Sequence, residues 1–99
     1  MKIRIVDQAE DDLVDGYNFY EGQAPGLGAY FLDCIYSDVE SLVLYAGIHR
    51  IVHRNYHRML SERFPFAIYY TVSGDEIKIH AIIDCRRDPA WIRDRLNMQ

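Results

Sequence analysis

No part of this sequence is apolar for long enough to cross a membrane. A span needs roughly 18 residues. The longest apolar run, Leu42 to Ile48, is far shorter and contains Tyr45 and Gly47. The start, Met1-Lys2-Ile3-Arg4-Ile5, meets an acid at Asp7 and has no apolar signal core. A cytoplasmic protein is therefore expected. Cysteine is scarce. Cys34 falls in a helix pattern and Cys85 at a strand end, and no C-x-x-C accompanies them. They read as two reduced thiols, and no zinc site is expected. The serines lack G-x-S-x-G surroundings, and no glycine-rich loop follows a strand. Gly26-Leu27-Gly28 is more simply a turn than a phosphate cradle. No cofactor, metal or small-molecule substrate is expected. Lysine is rare too, at Lys2 and Lys78 alone, and no tyrosine follows Tyr70.

What is present suits one domain over residues 1–99 with a modest core. A chain of 99 residues buries roughly 60–65% of its unfolded surface. Apolar residues make up 49% and charged residues 26%, which excludes a disordered chain. The net charge of −4 is unevenly spread. Residues 1–48 carry two basic and nine acidic groups, and residues 49–99 nine basic and six acidic. That argues against bulk nucleic-acid binding but permits a local basic face on an acidic body.

Lys2 to Val6 alternates as a short strand. Asp7 reads as a helix cap, with Glu10 placed to reach back and Asp11 and Asp12 favouring the helix dipole. Ala9, Leu13, Tyr17 and Tyr20, with Val14 beside them, form one stripe on a helix of about 15 residues. Gly22 to Gly28, with Pro25, breaks it and links it to a second, antiparallel helix. That helix runs from about Ala29 to Tyr45. Its stripe is Phe31, Ile35, Val39 and Leu42, widened by Leu32, Val43 and Leu44, and Gly47 ends it. Ile51 to Leu60 is strand-like but polar. Phe66, Ile68, Tyr70 and Val72 alternate, Ser73-Gly74-Asp75 turns, and Ile77, Ile79, Ala81 and Ile83 alternate again. Glu76, Lys78, His80 and Ile82 fall on the opposite face, so helices are expected on one side only. Asp88-Pro89 caps a short last helix docked by Trp91, Ile92 and Leu96. The order is β-α-α-β-β-β-α. The expected class is α+β, a helical hairpin packed on a largely antiparallel sheet.

Candidate chemistry is sparse. His49, His53 and His57 recur every four residues. On a strand they would share a face at spacings of about 13 Å, too far to share a metal. They read as polar positions of an edge strand. His80 suits general acid–base work near neutrality, but no acid stands at strand spacing from it, and the plain reading is a surface residue. Arg86 and Arg87 point to opposite sides of an extended chain. One is expected to pair with Asp84 or Asp88, and the other to face a partner's carboxylate or phosphate. Arg58 and Arg63 would extend that basic surface.

Two motifs carry a resemblance. Arg63-Phe64-Pro65-Phe66-Ala67-Ile68-Tyr69-Tyr70 and Cys85-Arg86-Arg87-Asp88-Pro89 resemble the "RFPY-x-I-x-Y" strand and the "H-x-RRDP" end of the RelE/ParE superfamily of bacterial toxins. The family's histidine falls on Asp84 here. Ala9-Glu10-Asp11-Asp12-Leu13 resembles the start of the family's first helix, and Tyr17 and Tyr20 its aromatic finish. The resemblance spans Ala9 to Trp91. It implies a type II toxin with a cognate antitoxin. One branch, like RelE, cuts messenger RNA on the ribosome; the other, like ParE, inhibits DNA gyrase. Few lysines, no late tyrosine and a negative charge favour the ParE-like branch. The target-binding set is then Arg58, Arg63, Arg86, Arg87 and Trp91. For the nuclease alternative the candidates are His57, Arg58, His80 and Arg86. A non-toxic interaction domain of the same fold is the third reading.

Overall fold

The computed structural model describes residues 1–98. Among them are five strands and three helices: β1 (Lys2–Ile5), α1 (Asp7–Glu21), α2 (Leu27–Tyr45), β2 (Ile51–His53), β3 (Tyr56–Leu60), β4 (Phe66–Ser73), β5 (Glu76–Asp84) and α3 (Pro89–Asn97). They form the expected α+β arrangement. The sheet order is β1-β5-β4-β3-β2. β1 lies parallel to β5, and every other pairing is antiparallel.

The helical hairpin covers one face of the sheet. Phe31, Ile35, Val39 and Leu42 are all buried, as their spacing requires, and so are Ala9, Leu13 and Tyr20. They meet Phe66, Ile68 and Tyr70 of β4 and Ile77, Ile79 and Ile82 of β5. Tyr20, Phe31, Phe64 and Phe66 close one end as an aromatic cluster, with centroids 4.8–5.2 Å apart in four of its contacts. Burying such a side chain contributes about 1.5–3 kcal/mol, so this face holds most of the core. The helices approach closely because two positions carry no Cβ. A Cβ at Gly16 would lie 2.5 Å from the Phe31 ring, and one at Gly28 would lie 2.8 Å from the Tyr17 carbonyl oxygen.

Several local expectations fail. Asp7 is inside α1, not its cap; Val6 takes that place and makes no side-chain cap bond. The chain leaves β1 directly into the helix, and the Glu10 N–H donates to the Val6 carbonyl. Gly16 takes the buried place on α1, while Tyr17 is half-buried and Val14 exposed. α2 starts at Leu27, because the Glu21 carboxylate accepts the Gly26 and Gly28 N–H groups at 3.0 Å each and stands in for a cap. Val43 and Leu44 do not widen the buried stripe; both are exposed.

The sheet departs further. Ile51–Leu60 is not one strand but a hairpin, β2 and β3, turned at Arg54 and Asn55 with Arg54 at φ 51°. Nor does the alternation of β5 run through. Tyr69 pairs with Ala81 and Tyr70 with Ile79, so His80 has no opposite residue and forms a β-bulge. The bulge reverses the phase. Ile82 enters the hairpin-side core, and Ala81 and Ile83 turn to the other face. That second face is therefore also apolar. Tyr56, Ala67, Tyr69, Ala81 and Ile83 gather there under Leu96 and Ile92 of α3. Trp91 does not dock; it stays 39% exposed. The Asp88 cap forms as expected, its Oδ1 accepting the Ala90 N–H at 2.8 Å with Pro89 following.

Candidate functional site

The end of β5 bends into α3 through Cys85-Arg86-Arg87-Asp88, and this bend fixes two arginines. Arg86 folds back on Asp84. Its Nε and Nη2 donate to the two carboxylate oxygens at 2.9 and 2.6 Å, and its backbone N–H adds a bond of 2.8 Å. These hydrogen bonds hold the Asp84 carboxyl below its ordinary pKa and raise that of the guanidinium. The ion pair is open to water, since the Arg86 side chain is 66% exposed. Its value lies in fixing the fork more than in stability. Arg87 takes another route. Its guanidinium carbon stands 4.3 Å from the centroid of the Trp91 ring, a cation–π contact.

Arg86, Arg87 and Trp91 border an open cleft of roughly 470 Å³ between α1 and the start of α3. Asp15 and Phe19 of α1 form the opposite wall, and Phe66, Ile82 and Ile83 the floor. Asp12 lies beneath, bound in fork fashion by Arg95 at 2.9 and 2.7 Å and accepting the Ile82 N–H at 2.9 Å. It does not serve merely to favour the helix dipole. It ties α1, β5 and α3 together at one carboxylate.

The other candidates are dispersed. Arg58 lies opposite Tyr69 in the sheet, where burial raises the tyrosine's pKa and the guanidinium partly offsets it. The same arginine works against the burial that raises the Cys85 thiol. Arg63 donates to the Tyr30 hydroxyl on α2 at 3.1 Å. Thus Arg86, Arg87 and Trp91 come together, while Arg63 is committed to the helical hairpin.

Of the three spaced histidines only His53 is the expected polar position of an edge strand, on β2 with Nε2 2.8 Å from Asn97 Oδ1; His49 and His57 are drawn inward. His57 stacks on the Tyr70 ring at 4.9 Å and donates from Nδ1 to the His49 carbonyl at 2.7 Å. The carbonyl can only accept, so the proton is on Nδ1. His49 Nδ1 meets the Tyr70 hydroxyl at 2.6 Å, and the same hydroxyl accepts the Gly47 N–H at 3.1 Å. The β2–β3 hairpin makes this convergence, which a single extended strand would forbid. Burial first, and the nearby His57 second, lower the His49 pKa below 6.5. His80 belongs to the other face, with Nε2 at 2.8 Å from Thr71 Oγ1 and its ring edge-on to Tyr56. His57 and His80 therefore lie in different clusters.

A chain from the solved structure "Chromosomal ParDE TA system from P. aeruginosa" matches this fold at a TM-score of 0.77. The two are 26% identical over 85% of this chain and 95% of that one. The chain is ParE-like. No family model matches the sequence, and no curated protein matches it either. In the ParE-like fold the two motif segments are adjacent strands: Phe66 pairs with Asp84, and the Cys85 N–H donates to the Pro65 carbonyl at 2.8 Å. The strand motif thus buttresses the bend that presents the arginines. Sequence reading missed Asp15 and Phe19 as the opposite wall and Tyr70 as the hub of two histidines. A period-four run of acids and aromatics on α1 was the available signal for the wall; nothing local signalled the hub.

Proposed function

We propose that this chain is the toxin of a type II toxin–antitoxin pair, acting in the cytoplasm as a single domain and neutralised by a cognate antitoxin. The likeness to a chain of the ParDE system, covering nearly the whole of both, carries the proposal. A physical feature supports the partner. Between α1 and α2 runs a groove of roughly 400 Å³ lined by Glu10, Leu13, Val14, Tyr17, Leu32 and Tyr36. Beyond it Leu44 and Ile48 are 79% and 71% exposed. Apolar surface of this kind suits a segment that folds on binding. Co-expression with the adjacent open reading frame and pull-down should recover a complex. Two folded proteins that fail to associate would sink the antitoxin assignment.

The target we propose is DNA gyrase. A ribosome-dependent nuclease must hold growing phosphate charge and also move a proton, each typically contributing about 100-fold or more. Of the nuclease candidates, Arg86 is bound to Asp84, while His57 and His80 are engaged with different rings. The net charge of −4 also disfavours approach to ribosomal RNA. Purified protein should inhibit gyrase supercoiling of a plasmid and leave ribosome-bound message intact in primer extension. Codon-positioned cuts abolished by His57→Ala or His80→Ala would reverse this choice.

A further inference from the structure

The cleft between α1 and α3 has a chemistry narrower than that of a basic patch. Its charges are largely spent inside the protein. Asp84 is neutralised by Arg86 and Asp12 by Arg95. What remains is Arg87 on one side and Asp15 on the other. The Arg87 guanidinium carbon stands 4.3 Å from the Trp91 ring centroid, its backbone N–H is spent on the Asp84 carbonyl, and its side chain makes no hydrogen bond among the described residues, which leaves the guanidinium donors for a partner. Arg86 spends Nε and Nη2 on Asp84, leaving Nη1 unused beside it. Phe19, 54% exposed, lines the same cleft as Trp91.

We infer that this cleft takes a peptide segment of a protein partner carrying a carboxylate next to a large apolar side chain. The carboxylate is received by Arg87, and the apolar side chain lies between Phe19 and Trp91. A guanidinium fork matches a carboxylate in bidentate fashion, and one already fixed on an aromatic ring loses little freedom on binding. The volume suits one or two side chains. A run of phosphates would fare worse, because Asp15 lines the same wall and the chain as a whole is acidic. The inference rests on reading Arg86 and Arg87 as target-facing, and names what they recognise.

Trp91 is the only tryptophan of the chain and lies in the cleft itself, so its fluorescence reports occupancy directly. The protein would be titrated with an end-blocked hexapeptide bearing a central Phe-Glu pair, with its Phe-Gln counterpart, and with a short oligothymidylate. We expect a saturable change in Trp91 emission with the Phe-Glu peptide. Binding should weaken about tenfold or more for the Phe-Gln peptide and for Arg87→Ala, the cost of a lost charge-assisted bond. Arg87→Lys should fall between, and Arg50→Ala, outside the cleft, should bind as the parent does. Equal binding of the two peptides, tighter binding of oligothymidylate, or no response up to millimolar peptide would each overturn the inference. No toxin assay enters this measurement, so gyrase inhibition can fail while the cleft binds as expected, and the reverse.

Discussion

Two side chains near the ends of the chain illustrate what a single residue can hold. Asp12 and Arg95 are each only 13% exposed at the side chain and form a two-bond fork. Removing one partner strands a nearly buried charge. Asp12→Ala should therefore cost about 3 kcal/mol in urea unfolding. Replacing the pair together, Asp12→Leu with Arg95→Met, should cost less, because no lone charge remains. From sequence, Asp12 was one of several acids suited to a helix N-terminus; its partner lies 83 residues away, beyond any local pattern. His49 supplies a pH dependence. Its folded-state pKa is depressed, chiefly by burial. Below 6.5 the unfolded chain takes up the proton more readily than the native one, so native stability is lost as pH falls. The melting midpoint should drop between about pH 7 and 5, and His49→Asn should flatten that slope. A midpoint that rises on acidification in the parent would contradict the assignment.

At the scale of elements, the hairpin of helices and the bulge of β5 make the sharpest claims. Gly28→Ala would push a methyl group against the Tyr17 carbonyl, and Gly16→Ala against a fully buried Phe31. Neither neighbour can swing aside, so each substitution should cost about 1–3 kcal/mol by chemical denaturation. His80 leads to the opposite expectation. Without it, Ile77, Lys78, Ile79, Ala81, Ile82 and Ile83 alternate without interruption between the two faces of the sheet. Deleting His80 should leave a folded protein with native-like near-UV dichroism; an unfolded product would show that the bulge is required. The contrast explains what was legible. The α2 stripe was plain because four large apolar residues at helical spacing admit one arrangement. The bulge was hidden because Ile82 and Ile83 are both apolar, and either phase buries an isoleucine on the hairpin side. The β2–β3 turn was hidden because Arg54-Asn55 lacks glycine, and Arg54 adopts positive φ all the same.

On the scale of the whole molecule, the charge split between the two halves has a consequence for recognition. The first 48 residues, which supply both helices of the hairpin, hold nine acids against two bases. An antitoxin segment seated in that groove should be basic, and its association rate should fall as ionic strength rises from about 0.05 to 0.5 M, measured by stopped flow. A rate indifferent to salt would argue for apolar docking alone. Of the candidate site, Arg86, Arg87 and Trp91 were legible because they lie within six consecutive residues at a strand end. The facing wall was not, since α1 reaches it only through the tertiary fold. The sheet order has one further result. β1 is completed by β5, Lys2 opposite Glu76 and Ile5 opposite Ile79, and α1 is pinned by Arg95. A ribosome releases the amino terminus long before those partners exist. The nascent chain can form its helices early, yet it cannot close the sheet until β5 has been made. Fragments ending before β5 lack the strand that completes β1 and should be swept up by proteases.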